Sequence, residues 1–95
     1  MITKENAGPE IPALETITVS AVCAEVIRAR LKFPRSRYLL AALTEEVGEL
    51  ARAILQGKDQ DAIQREAIQV ACVALRICEE GDSSFDDADA ASQLP

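Results

Sequence analysis

Three glutamates, Glu45, Glu46 and Glu49, lie close together in the segment TEEVGEL at residues 44–50. On an α-helix all three fall within an arc of about 100°, and Glu46 and Glu49 are i,i+3 neighbours whose carboxylates can converge on one point. Like charges this close repel each other and raise each other's pKa values, unless a cation or solvent relieves them. The segment is therefore a candidate site for a divalent cation, although a solvated acidic helix face would have the same sequence.

Further oxygen ligands follow in the next helical segment, where Glu66 is followed by Gln69 at i,i+3. If the two helices pack antiparallel, four oxygen-bearing side chains face a common space. Hard cations such as Mg²⁺ take oxygen ligands, typically a carboxylate or two completed by water and substrate phosphates. Gly48 lies inside the first of these helices at a cost of roughly 1 kcal/mol relative to alanine, which indicates that another element approaches closely there.

Two arginines, Arg52 and Arg76, lie on nearly the same helix faces as these candidate ligands and could neutralise the charge of a triphosphate. The alternative for each is an exposed ion pair within its own helix, Arg52 with Glu49 and Arg76 with Glu79 or Glu80. In addition, half of the ten basic residues lie between residues 28 and 37. That basic cluster could bind a phosphorylated ligand or form a solvated loop.

Helices must position these residues, because apolar side chains recur at helical spacing and no strand or hairpin pattern is present. Three helices are predicted: residues 17–31 with Thr16 or Thr18 as the N-cap, a second helix between a Ser36 N-cap and Gly57, and residues 61–80 ending at Gly81. The turn at Phe33-Pro34 separates the first two.

The predicted fold class is all-α, an antiparallel helical bundle of three helices with a candidate short fourth beginning at Ser84. Residues 1–15 are predicted to form an extended or disordered arm. Residues 16–81 are predicted to form the helical domain, and residues 82–95 an acidic tail. The third helix is apolar almost all round and needs neighbours on several sides, which predicts a homo-oligomer.

Composition narrows the classes of function. A net charge of −6 argues against wrapping a nucleic acid polymer, and no apolar stretch is long enough to cross a bilayer. The first residues lack the basic and apolar pattern of a signal segment. The three cysteines, Cys23, Cys72 and Cys78, are interpreted as small buried residues in a reducing compartment. These features predict a cytoplasmic protein.

The segment LLAALTEEVGELA at residues 39–51 closely resembles the MazG-like family of all-α nucleoside triphosphate pyrophosphohydrolases. The family pattern is E-x-x-E, a spacer of a dozen or more residues, and E-x-x-D. Glu46 and Glu49 match the first pair and Glu66 opens the second, whereas Gln69 stands where the family has aspartate. The likeness extends over roughly residues 17–81.

This resemblance implies hydrolysis of ribo- or deoxynucleoside triphosphates to monophosphate and pyrophosphate, with Mg²⁺ as cofactor and Mn²⁺ as a substitute. It implies metal binding by Glu46, Glu49 and Glu66, with Gln69 as a weak or indirect ligand. Glu45 would be a further ligand or the base that orients water, and Arg76 or Arg52 would meet the phosphates. It also implies a homo-dimer or homo-tetramer.

Two alternatives remain open at the level of sequence. The first, favoured by Gln69, is a catalytically weak or inactive member of the same fold that acts as a dimerisation or regulatory module. The second is a helical interaction protein whose acidic face is merely solvated. A third idea, an acidic tail that mimics nucleic acid, rests only on residues 79–95.

Overall fold

The computed structural model describes residues 13–85, which form three α-helices, α1 (Thr16–Lys32), α2 (Leu39–Leu55) and α3 (Gln60–Glu80), followed by a 3₁₀ turn at Ser83–Phe85. The described residues contain no strand, so the all-α prediction is confirmed. Most of the predicted arm and of the acidic tail lies outside the described residues. None of the described helices combines the length and the apolar character that a membrane span requires.

The first helix begins and ends close to where the sequence predicts, but its N-cap differs. The cap residue is Glu15, whose side chain makes no capping hydrogen bond. Its carbonyl oxygen instead accepts hydrogen bonds from the backbone N–H groups of Thr18 and Val19. The expectation that Thr16 or Thr18 caps the helix was wrong. The helix stops at Phe33 because the residue before Pro34 is disfavoured in the α region.

The second helix starts at Leu39, three residues after the predicted Ser36 cap, so that prediction was wrong. The residue before it, Tyr38, has a left-handed backbone with φ of 61°. Side chains that follow α3 satisfy the first N–H groups of α2. The N–H of Tyr38 donates to Ser84 Oγ at 2.7 Å, and the N–H of Leu40 donates to Asp82 Oδ2 at 2.8 Å.

A short connection joins α2 to α3. Gly57 takes a positive φ of 67° just after α2, and Asp59 caps α3 by accepting a hydrogen bond from the N–H of Ala62 at 2.9 Å. At the other end of the hairpin the N–H of Ser83 donates to the carbonyl oxygen of Ser36 at 2.8 Å. Contacts at both ends make α2 and α3 an antiparallel pair.

The third helix lies at the centre, because α1 and α2 both pack chiefly against α3 and much less against each other. Arg30 joins the C-terminal ends of α1 and α3, because its guanidinium forms ion pairs with Glu79 and Glu80 at 2.7 Å each. Among the described residues the buried apolar side chains are few: Val26, Leu39, Ala53 and Cys72.

Of the three cysteines, only Cys72 is buried, whereas Cys23 and Cys78 are exposed and all three are free thiols. The interpretation of all three as buried residues was therefore wrong for two of them.

Candidate metal centre

Three carboxylates converge where α2 packs against α3. Each of Glu46, Glu49 and Glu66 offers an oxygen atom, and these atoms all lie within 4.8 Å of one another. The i,i+3 spacing supplies the pair on α2, and the antiparallel hairpin brings Glu66 of α3 opposite that pair. All three side chains are half-buried. The arrangement suits a hard cation, which takes oxygen ligands from carboxylates.

The surroundings of Glu46 disfavour the negative charge of its carboxylate. Burial raises the pKa of the Glu46 carboxyl, and the nearby charges of Glu49, Glu66 and Glu45 raise it further. Its Oε2 atom is buried and accepts no hydrogen bond within the described part of the chain. A divalent cation bound among the three carboxylates would remove the repulsion and give that oxygen a partner, so the residues present fit such an ion.

Metal binding should therefore be visible as a change in stability. We expect millimolar Mg²⁺ or Mn²⁺ to raise the Tm of the protein, because a ligand that binds only the folded state stabilises it. In Glu49→Gln the shift should be lost. Without metal, that variant should melt slightly above the wild type, by about 1–3 °C, because one like-charge contact worth about 0.3–0.5 kcal/mol is removed. Thermal scans with and without metal measure both effects, and an undiminished shift in Glu49→Gln would contradict the site.

Gln69, the residue in the place of the family's aspartate, is engaged with α1. Hydrogen bonds from Arg28 and then from Gln69 lower the pKa of Glu25, a half-buried carboxyl of α1. The amide N–H of Gln69 thus donates to Glu25. Sequence reasoning missed Glu25. The signal available was a lone acid on the α1 face that also carries Ala21 and Ala29.

Other predicted site residues lie outside the cluster. Glu45 is exposed at the edge of α2 and acts on Glu46 only through its charge. Arg76 is almost fully buried, with its guanidinium bonded to Glu80 at 2.8 Å and to the carbonyl oxygen of Arg35. Arg52 is exposed and lies beside Glu49.

Among the described residues, three cavities border the three carboxylates. One of them, about 620 Å³, lies between α1 and α3 beside Glu66 and Gln69. The interhelical cavity, about 560 Å³, lies between α1 and α2 above α3 and reaches Glu46. Its walls are largely apolar, and four side chains of the basic cluster line it: Arg28, Lys32, Arg35 and Arg37. The hairpin cavity, about 360 Å³, lies near the α2–α3 connection and is lined by both remaining glutamates and three cations: Glu49, Glu66, Arg52, Lys58 and Arg65.

The sequence model of a protein family, the MazG nucleotide pyrophosphohydrolase domain, matches residues 35–94 of the chain. The matched segment begins in the loop before α2 and contains α2, α3 and the three converging glutamates. No match was found among curated proteins or among solved structures.

Proposed function

Because the chain belongs to the MazG nucleotide pyrophosphohydrolase domain family, we propose that it hydrolyses ribo- or deoxynucleoside triphosphates to monophosphate and pyrophosphate. The observation that carries the proposal is the convergence of Glu46, Glu49 and Glu66, whose carboxylate oxygens lie within 4.8 Å of one another. A helix pair that merely solvates its acidic face has no reason to bring three carboxylates together in a half-buried place.

In this proposal Glu46, Glu49 and Glu66 hold Mg²⁺, with Mn²⁺ as a substitute. The bound cation supplies Lewis acidity toward the phosphate oxygens and the means to activate water. The carboxylates fix its position at the junction of α2 and α3. Gln69 acts indirectly, since its amide holds Glu25 of α1 against the same region. Glu45 lies outside the cluster and has no assigned part in binding the ion.

The interhelical cavity and the hairpin cavity suggest how a nucleotide lies across the cluster. The interhelical cavity has the apolar walls and the size that a nucleoside requires. Lys58 and Arg65 line the hairpin cavity together with Glu49 and Glu66. The positive charges of Lys58 and Arg65 would stabilise a leaving pyrophosphate there. Arg52 lines the rim of the same cavity. Sequence reasoning did not single out Lys58 or Arg65, because a connection and an exposed helix turn commonly carry basic residues.

The test is to incubate the purified chain with a panel of ribo- and deoxynucleoside triphosphates and Mg²⁺, and to quantify every product. We expect monophosphate and pyrophosphate in equal amounts, because cleavage between the α- and β-phosphates gives both. Diphosphate with inorganic phosphate would mean cleavage at the terminal phosphate and would contradict the proposal. A folded protein that releases neither product would favour the second candidate.

That second candidate is a non-catalytic MazG-like module for dimerisation or regulation. Gln69 favours it, since an amide in place of the family's aspartate removes one negative charge from the expected ligand set. Homo-oligomerisation and a cytoplasmic location are parts of both proposals. Three free thiols agree with a reducing compartment.

A further inference from the structure

A fourth carboxylate, that of Glu25 on α1, lies beside the candidate metal centre. Glu25 lines the interhelical cavity together with Glu46, and it lines the cavity between α1 and α3 together with Glu66. Gln69 borders both of these cavities as well. Glu25 is not one of the three carboxylates whose oxygens lie within 4.8 Å of one another. It therefore borders the same space from the α1 side without joining the group of direct ligands.

The buried thiol of Cys72 also indicates that Glu25 and Glu46 lie near each other. Burial raises the pKa of this thiol, and the negative charges of Glu25 and Glu46 both raise it further. Cys72 is only 1% exposed, and charges act more strongly on a group that is removed from water. The carboxylates of α1 and α2 are thus close enough to act on one side chain of α3.

The amide at position 69 is what favours an acid at position 25. Hydrogen bonds from Arg28, and then from Gln69, lower the pKa of the Glu25 carboxyl. An aspartate at position 69, as in the family pattern, would have no proton to donate at neutral pH and would repel Glu25. Gln69 takes one negative charge away from α3, and Glu25 supplies one from α1. With Glu25 the centre again has four acids, the number in the family pattern.

The ion pair between Glu25 and Arg28 leaves this charge available to a cation. The Arg28 side chain is 69% exposed, whereas the Glu25 side chain is only 19% exposed. An ion pair with so exposed a partner contributes less than about 1 kcal/mol. Arg28 therefore keeps Glu25 ionised, and a divalent cation can take over as its counter-charge at little cost.

We propose that Glu25 is a positioning residue of the metal centre, which supplies the negative charge that Gln69 lacks and accepts hydrogen bonds from water that the cation retains. Mg²⁺ usually keeps several waters and binds directly to one or two carboxylates, so an acid outside the direct ligands still acts on it. The inference rests on the metal centre of the proposed function. It extends that centre to α1, a helix outside the segment 35–94 that matches the family.

The test is the binding of Mn²⁺ to the full chain without nucleotide, measured from the electron paramagnetic resonance signal of the free ion. Glu25→Gln removes the charge and keeps a side chain that can hydrogen-bond to Gln69. We expect it to raise the Kd for Mn²⁺ about 10-fold or more, because outer partners of metal ligands typically change affinity by 10- to 100-fold. The matched control is Asp61→Asn at an exposed position of α3, whose Kd should stay within about 2-fold of the wild type.

A double variant separates the loss of a charge from a disturbed contact between α1 and α3. Glu25→Gln combined with Gln69→Asp moves the acid from α1 to the family's position on α3, and the two side chains can still form a hydrogen bond. Its Kd should return to within about 3-fold of the wild type, which is a strong departure from additivity. Thermal melts without metal, followed by circular dichroism, check that each variant is folded.

Three results would overturn the inference. An unchanged Kd in Glu25→Gln, beside a wild type that binds Mn²⁺, would remove Glu25 from the centre and leave the proposed function standing. A folded double variant that binds no better than Glu25→Gln would show that the charge of Glu25 is not what Gln69 lacks. A wild type that binds no Mn²⁺ would overturn this inference together with the proposed metal centre.

Discussion

Replacing Glu66 by glutamine is expected to lower the rate of pyrophosphate release by about 100-fold or more. Glu66 is the one carboxylate that α3 contributes to the cluster, and its oxygen lies within 4.8 Å of those of Glu46 and Glu49. Loss of even an outer partner of a metal ligand typically costs 10- to 100-fold in metal affinity or activity. Loss of one group that stabilises charge in the transition state costs about 100- to 1,000-fold. Steady-state rates with saturating Mg²⁺ measure the effect.

The matched control is Asp61→Asn, which removes one negative charge from the same helix at an exposed position outside the cluster. Its rate should stay within about 2-fold of the wild type. Equal rate losses in both variants would mean that overall charge, and not the cluster, governs activity. A Glu66→Gln variant as active as the wild type would remove α3 from the proposed metal centre.

Replacing Glu80 by alanine is expected to destabilise the protein by about 2–3 kcal/mol, the largest effect on stability that the structure predicts. Its carboxylate accepts hydrogen bonds from Arg76, whose side chain is only 3% exposed. Removing one partner of a buried ion pair leaves an uncompensated buried charge, which costs about 3–5 kcal/mol. The expected value is lower because Glu80 itself retains 21% exposure. Urea unfolding measures the difference.

The control is Glu79→Ala at the adjacent position. Glu79 pairs with Arg30, and both side chains are largely exposed, at 55% and 42%. An exposed pair contributes less than about 1 kcal/mol, so this variant should unfold nearly as the wild type does. Similar losses in both variants would show that Arg76 does not depend on Glu80.

The same contact makes stability depend on pH. Hydrogen bonds from Arg76, and then from Arg30, lower the pKa of Glu80 from its ordinary 4.5 to about 2. The folded state therefore holds the ionised form more strongly than the unfolded state does. Its contribution is complete above pH 4.5 and is lost as the pH falls toward 2. Over that interval the stability of Glu80→Ala should fall less steeply than that of the wild type.

Much of the fold and of the cluster could be predicted because local patterns determine them. Helical spacing of apolar residues gave three helices, and Gly57 and Gly81 stand just beyond the ends of the second and third. The i,i+3 spacing of Glu46 and Glu49 is a property of any helix. Glu66 joined them in the prediction on the condition that the two helices pack antiparallel, and because it matches the second acidic pair of the MazG-like pattern.

What could not be predicted depends on contacts distant in sequence. Ser36 is a good cap by local rules, yet the N–H groups at the start of α2 are satisfied by Asp82 and Ser84. The pairing of Arg76 with Glu80 was one of the alternatives that the sequence offered, but the burial of Arg76 depends on how the loop before α2 folds over α3. The partner of Gln69 was likewise unforeseen, because it comes from α1.

The hydrogen bonds from the start of α2 to Asp82 and Ser84 affect the order in which the newly synthesised chain can fold. They join groups 42 and 46 residues apart in the sequence. On the ribosome, α2 is synthesised well before the residues that complete its first turn. Its glutamates therefore reach their final places only after the whole of α3 and the segment behind it have emerged, so the nascent chain acquires its candidate metal centre late in translation.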